Sequence, residues 1–196
     1  ILGGGVNQWN NNATEWVSIE YATFHSNKAK YQGGGLNVAH GAETYIANSQ
    51  FTDNIADSEN NTNSYGGGVY FSSNTPGTSI SILDSIFYHN LTQCNSGCGD
   101  NAGGGLYALA NSIGLVSLSN NTFENNTSWS GGGVYADMAA IQNCTFKGNT
   151  GGYGGGLYLT GSSNVRKSLF MQNHAGNEGG GLFSTGADAQ LTLSDS

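Results

Sequence analysis

Gly154-Gly155-Gly156-Leu157-Tyr158-Leu159 opens with three residues that are costly in any regular element. A glycine inside a helix or strand destabilises it by roughly 0.5–1 kcal/mol relative to alanine, because more backbone freedom is lost. The 196-residue chain nevertheless writes the triplet seven times, beginning at Gly3, Gly33, Gly66, Gly103, Gly131, Gly154 and Gly179, each time followed by Val or Leu. Twenty-one of its 32 glycines lie in these triplets, so this is patterned glycine and not a flexible linker. Glycine is needed where the backbone takes unusual angles or where two backbones approach closely.

A second word, Phe-x-x-Asn, alternates with the triplets: Phe24–Asn27, Phe51–Asn54, Phe87–Asn90, Phe123–Asn126, Phe146–Asn149 and Phe170–Asn173. Two interleaved words along a whole chain make an internal repeat. The shortest units, from Phe123 to Phe146 to Phe170, are 23 and 24 residues long. That is too short for a helix pair and suits one solenoid coil of three short strands. Longer units place much of their extra length around Asp57–Tyr65 and Thr92–Ala102, between Phe-x-x-Asn and the next triplet. Solenoids accept loops in this way, at one corner of a repeating turn.

Strand alternation assigns the faces. The residue after each triplet is Val6, Leu36, Val69, Leu106, Val134, Leu157 or Leu182, an apolar column that points inward. Two residues on, Val38, Phe71, Ala108, Ala136 and Leu159 continue inward, while Gln8 and Ser184 break the column near the ends. Ile19, Ile46, Ile82, Leu118, Ile141 and Val165 form another inward column five residues before each Phe. Small Ala22, Ser49, Ser85, Cys144 and Ser168, with larger Asn121, lead into the Phe column. Asn tolerates left-handed backbone and bonds its own backbone at turns. Asn27, Asn54, Asn90, Asn126, Asn149 and Asn173 are therefore expected to form a stacked structural ladder at one corner. The fold expected is all-β: a right-handed parallel β-helix of about seven coils, forming one domain over residues 1–196. Neither end reads as capped, and Leu193-Ser194-Asp195-Ser196 repeats Ile82-Leu83-Asp84-Ser85 in mid-coil. The expectation is a window from a longer solenoid, or a unit that stacks end to end.

The alternation of Gly-Gly-x-Val/Leu with Phe-x-x-Asn resembles the repeat of chlamydial polymorphic outer-membrane proteins. Related repeats occur in large secreted proteins of protists and algae. The resemblance covers all 196 residues. It implies a right-handed parallel β-helix of the pectin-lyase-like type with a surface role in adhesion or structure. That family usually carries a small residue such as Ala where this chain has its third Gly. No outer-membrane barrel is visible in the sequence, so an autotransporter context is not supported.

Composition narrows the partners. The net charge is −8, and the cations are Lys28, Lys30, Lys147, Arg166 and Lys167 alone. Nucleic acids and anionic membranes demand clustered Lys and Arg, so neither is expected as a partner. No apolar run approaches the roughly 18–20 residues of a spanning helix.

No cofactor, metal or catalytic site is expected. Glycoside hydrolysis needs two carboxylates facing one bond, but the thirteen acids are scattered. Asp53 and Asp57 read as a solvated loop. A lyase would add a Ca²⁺ nest of acids and a basic residue, yet Arg166-Lys167 has no acidic cluster near it in sequence. His25, His40, His89 and His174 lack metal-ligand spacing and read as scattered surface residues. Cys94 and Cys98 are candidates for a disulfide that staples the longest insertion, which fits an oxidising compartment. Cys144 sits in the small inward column as a core thiol.

Seven Asn-x-Ser/Thr sequons occur. Asn12 and Asn60, in loops, are the first N-glycosylation candidates, followed by Asn125, Asn120 and Asn143. Asn90 and Asn126 also carry the sequon, but there a glycan competes with the ladder. Outward from the triplet strands stand Tyr70, Tyr107, Tyr135, Tyr158 and Phe183, an aromatic stripe. It reads either as stacking along the sheet or as a surface for glycans or another solenoid.

The first expectation is a non-enzymatic structural protein. It would be an extracellular or cell-surface glycoprotein solenoid that forms or decorates a filament, appendage or coat, self-associating end to end or side by side. An adhesin that binds carbohydrate or a cell-surface ligand comes second, and a polysaccharide lyase or hydrolase third.

Overall fold

The computed structural model describes residues 4–9, 16–39, 43–58, 62–94, 100–110, 114–186 and 190–194. The strands that follow the triplets, from Val6–Trp9 to Leu182–Thr185, form one seven-stranded sheet in chain order. A second seven-stranded sheet runs from Trp16–Glu20 to Leu191–Ser194. A third, of six strands from Thr23–His25 to Leu169–Met171, carries the Phe column. Each strand pairs in parallel with its counterparts one coil before and after it, which is a parallel β-helix.

One element goes beyond three strands per coil. A short fourth strand follows the ladder Asn in Lys28–Ala29, Ile55–Ser58, Leu91–Cys94, Thr150–Tyr153 and His174–Glu178. Single parallel bridges through Thr127 join these strands into one ladder.

The inward columns fill the helix. Leu36, Val69, Leu106, Val134 and Leu157 are wholly buried, as are Ile46, Ile82 and the four central Phe residues. The six Phe rings stack at 4.7–5.3 Å with interplanar angles of 3–18°. Such pairs contribute about 0.5–1.5 kcal/mol each beyond the area they bury.

Three positions take left-handed backbone from coil to coil, and these turn the chain. The first triplet glycine does so at φ 57–67° in Gly33, Gly66, Gly103, Gly131, Gly154 and Gly179. The residue before the small column does so at φ 48–57° in Tyr21, Asn48, Asp84, Asn120, Asn143 and Lys167. The third turn corrects the sequence expectation. The left-handed residue is not the ladder Asn but the one before it: Ser26, Asp53, His89, Asn125, Gly148 and Gln172.

The second and third glycines answer to close approach. A Cβ on Gly34 would lie 2.3 Å from the Gly67 carbonyl oxygen and 2.5 Å from the Ile55 nitrogen. One on Gly35 would meet Gly68 O at 2.7 Å and both Asn54 Cγ and Phe51 Cδ1 at 3.2 Å. The glycine corner thus presses directly on the asparagine corner. Residues between these two corners are not needed to close a coil, which explains why insertions gather there. Only four residues separate Asn126 from Gly131, whereas eleven separate Asn54 from Gly66.

Candidate functional site

The asparagine corner is a continuous amide ladder. Asn54 Oδ1 accepts from the backbone nitrogen and Nδ2 of Asn27, at 3.1 and 3.0 Å. Its own Nδ2 donates to Phe24 O at 2.9 Å and to Asn90 Oδ1 at 3.0 Å. The pattern repeats through Asn90, Asn126, Asn149 and Asn173. The side chain therefore bonds the neighbouring coils and not its own turn. A second ladder, unforeseen in the sequence, runs through the small column. There Ser49, Ser85, Asn121 and Ser168 accept from backbone nitrogens one coil away.

These bonds decide among the sequons. Asn90 and Asn126 are buried, and both Nδ2 hydrogens of each are donated within the ladder. A glycan would replace one hydrogen and needs solvent, so these two residues are withdrawn as glycosylation candidates. Asn120 and Asn143 stand exposed at a left-handed corner, joined by an Nδ2–Oδ1 bond of 2.8 Å, and Asn125 is half-buried. Asn12 and Asn60 lie outside the described residues.

Tyr70, Tyr107, Tyr135, Tyr158 and Phe183 occupy one register column, and all are half-buried. From Tyr70 to Tyr158 neighbouring rings lie 4.8–5.2 Å apart and within 2–14° of parallel. Their faces meet one another along the helix axis, so the row turns mainly ring edges and hydroxyls outward. Burial raises the Tyr107 hydroxyl pKa far above its ordinary value, and it pushes Tyr135 up to about 12, helped by Tyr158 and Asp137. These hydroxyls stay protonated and serve as neutral donors and acceptors.

Beside the row runs the column just before each triplet: Gln32, Tyr65, Ala102, Ser130, Tyr153 and Glu178. Two of its members lean onto the row. Tyr65 lies 4.8 Å from Tyr107 at 46°, and Tyr153 lies 5.6 Å from Phe183 at 51°. Beside Tyr65, over Ala102 and Ser130, a notch of about 190 Å³ opens onto Tyr107, Tyr135, Tyr158 and Asp100. Trp129, one residue before Ser130 and 45% exposed, rests on Gly152, where a Cβ would meet the ring at 3.0 Å. Its ring meets Tyr153 edge-on at 6.1 Å. Sequence reasoning missed Tyr65, Trp129 and Tyr153; the signal available was the extra pair Gly151-Gly152 outside the triplets.

The charged residues are more organised than their spacing suggests. Asp57 is not in a solvated loop: it lies in a strand, buried, with its carboxylate 2.7 Å from Lys28 Nζ. Burial raises its pKa, but hydrogen bonds to Lys28 and Gln93, with the Lys28 charge, outweigh this and hold it below the ordinary value. His25 and His89 are not scattered either, since both approach the Asp53 carboxylate, at 3.5 and 2.7 Å. His40 lies outside the described residues, and among those described no three His, Cys, Asp or Glu side chains are placed to hold a metal ion. Cys94 is disulfide-bonded, while its expected partner Cys98 lies outside the described residues. Cys144 is a free, buried thiol whose pKa burial pushes up to about 11. No helix among the described residues is long and apolar enough to cross a membrane.

The profile of a family described as right handed beta helix region matches residues 4–196. No curated protein and no solved structure matches the chain significantly.

Proposed function

The chain belongs to the right-handed β-helix family, and from that premise we propose that it is a structural module of an extracellular glycoprotein. It is a stiff solenoid that forms or decorates a filament, appendage or surface coat, and the proposal assigns it no enzymatic step. One observation carries this reading: the asparagine ladder and the Phe stack run through six coils without a break. The ladder asparagines are bonded to the next coil, which favours a rigid rod. The disulfide at Cys94 supports an oxidising compartment, and Asn120, Asn125 and Asn143 keep positions from which a glycan could project. The interleaved words support assigning the repeat to the polymorphic outer-membrane-protein type.

Electron microscopy of the native material tests the reading, together with glycopeptide mass spectrometry at Asn120, Asn125 and Asn143. Expected are a periodic fibre or coat and occupied sequons. Dispersed particles with bare asparagines would overturn it. Adhesion is the second reading, favoured by the notch beside Tyr65.

A further inference from the structure

We infer that the notch over Ala102 and Ser130 is a binding subsite for a single ring of a neutral carbohydrate. A sugar ring binds proteins by laying its C–H face on an aromatic face while its hydroxyls find polar partners, the usual make-up of a small-molecule site. The aromatic row itself is poorly suited, because consecutive tyrosine rings cover one another's faces at 4.8–5.2 Å. The ring that breaks from this arrangement at the notch is Tyr65. Tyr65 tilts 46° out of the stack, and its hydroxyl is held by Asn63 Nδ2 at 3.1 Å.

The notch exists because of a local change in one register column. Tyr65 and Tyr153 stand three coils apart, and the two positions between them hold the small residues Ala102 and Ser130. Tyrosine at those positions would continue the column, so the gap is a feature of side-chain choice and not of backbone shape. At about 190 Å³ it is smaller than the roughly 300–1,000 Å³ of pockets for larger ligands, which limits it to one ring. Its polar groups are the Ser130 and tyrosine hydroxyls and the Asp100 carboxylate. Asp100 and the chain's net charge of −8 disfavour uronic and other acidic sugars and leave neutral ones. The subsite does not depend on filament formation, so its failure and the failure of the structural reading are separate results.

The test is titration of the intact chain with a panel of neutral hexoses, N-acetylhexosamines and uronic acids, read by ligand-observed NMR. Saturable millimolar binding of at least one neutral sugar is expected, with none for uronic acids. Ser130→Tyr should fill the notch, weaken binding more than tenfold and keep the thermal midpoint of the wild type. Ala102→Tyr is the companion variant should Ser130→Tyr fold poorly, with the same loss expected. Asp100→Asn should weaken binding several-fold. The inference is overturned if no neutral sugar saturates, if uronic acids bind as well, or if a folded notch-filling variant binds like the wild type.

Discussion

Two aromatic ladders run along this molecule at nearly the same spacing. Inside, six Phe rings stack at 4.7–5.3 Å, and the central four are wholly buried. Outside, the tyrosine row from Tyr70 to Tyr158 stacks at 4.8–5.2 Å and is half-buried. The similarity shows that stacking follows from the coil repeat alone, since strands in register bring like residues about 4.8 Å apart. A stacked aromatic row is therefore weak evidence of a binding surface. The difference lies in the flanks: the central rings of the inner ladder are closed off from solvent, whereas the outer one is overlapped by Tyr65 and Tyr153 and carries only small residues in the column between them.

Substitutions can break this comparison, beginning with the largest effect. Phe87→Ala removes a fully buried ring from the middle of the inner stack and should cost about 3–5 kcal/mol, measured by denaturant unfolding. Asn90→Ala should cost about 3 kcal/mol, because it strands the Phe51 carbonyl and the Asn54 donors in a buried setting. Tyr107→Ala should cost only about 1–2 kcal/mol, as for a half-buried ring. A cost equal to that of Phe87→Ala would make the outer row part of the core and erase the distinction.

Smaller effects sharpen it. Asp57→Asn should cost about 1–2 kcal/mol, since its partner Lys28 is half-exposed. The Asp57 pKa is lowered in the folded state, so its contribution is present above the unfolded value of 3.8 and is lost as pH falls through the folded value. Wild type should lose more stability than Asp57→Asn in acid unfolding below that pH. At the exposed corner, Asn143→Gln should cost about 0.5–1 kcal/mol, because it gives up asparagine's tolerance of left-handed backbone and the bond to Asn120.

How much of this could be read in the sequence depended on whether like residues repeat. The triplets, the Phe column and the ladder asparagines are identical from coil to coil, so the coil and its inward faces could be read before any coordinates. The column Gln32, Tyr65, Ala102, Ser130, Tyr153, Glu178 is equally regular in position, but its residues differ, and it passed for noise. Its meaning lies in that difference. Asp57 misled because the chemistry crosses coils: Lys28 lies one coil before it, and spacing along the chain gives no sign of a buried pair. His25 and His89 meet at Asp53 for the same reason, from coils on either side. The ladder asparagines were found, but their geometry was not. Burial, which sequence patterning at a corner does not reveal, makes them bond neighbouring coils and passes the left-handed turn to the residue before.

The central claim is that buried asparagines bind coil to coil along the whole rod. Hydrogen exchange of asparagine side-chain amides, followed by NMR, tests it most directly. The Nδ2 hydrogens of Asn54, Asn90, Asn126 and Asn149 should exchange only through global unfolding, while those of exposed Asn120 and Asn143 exchange rapidly. Ladder amides that exchanged as fast as those two would contradict the account.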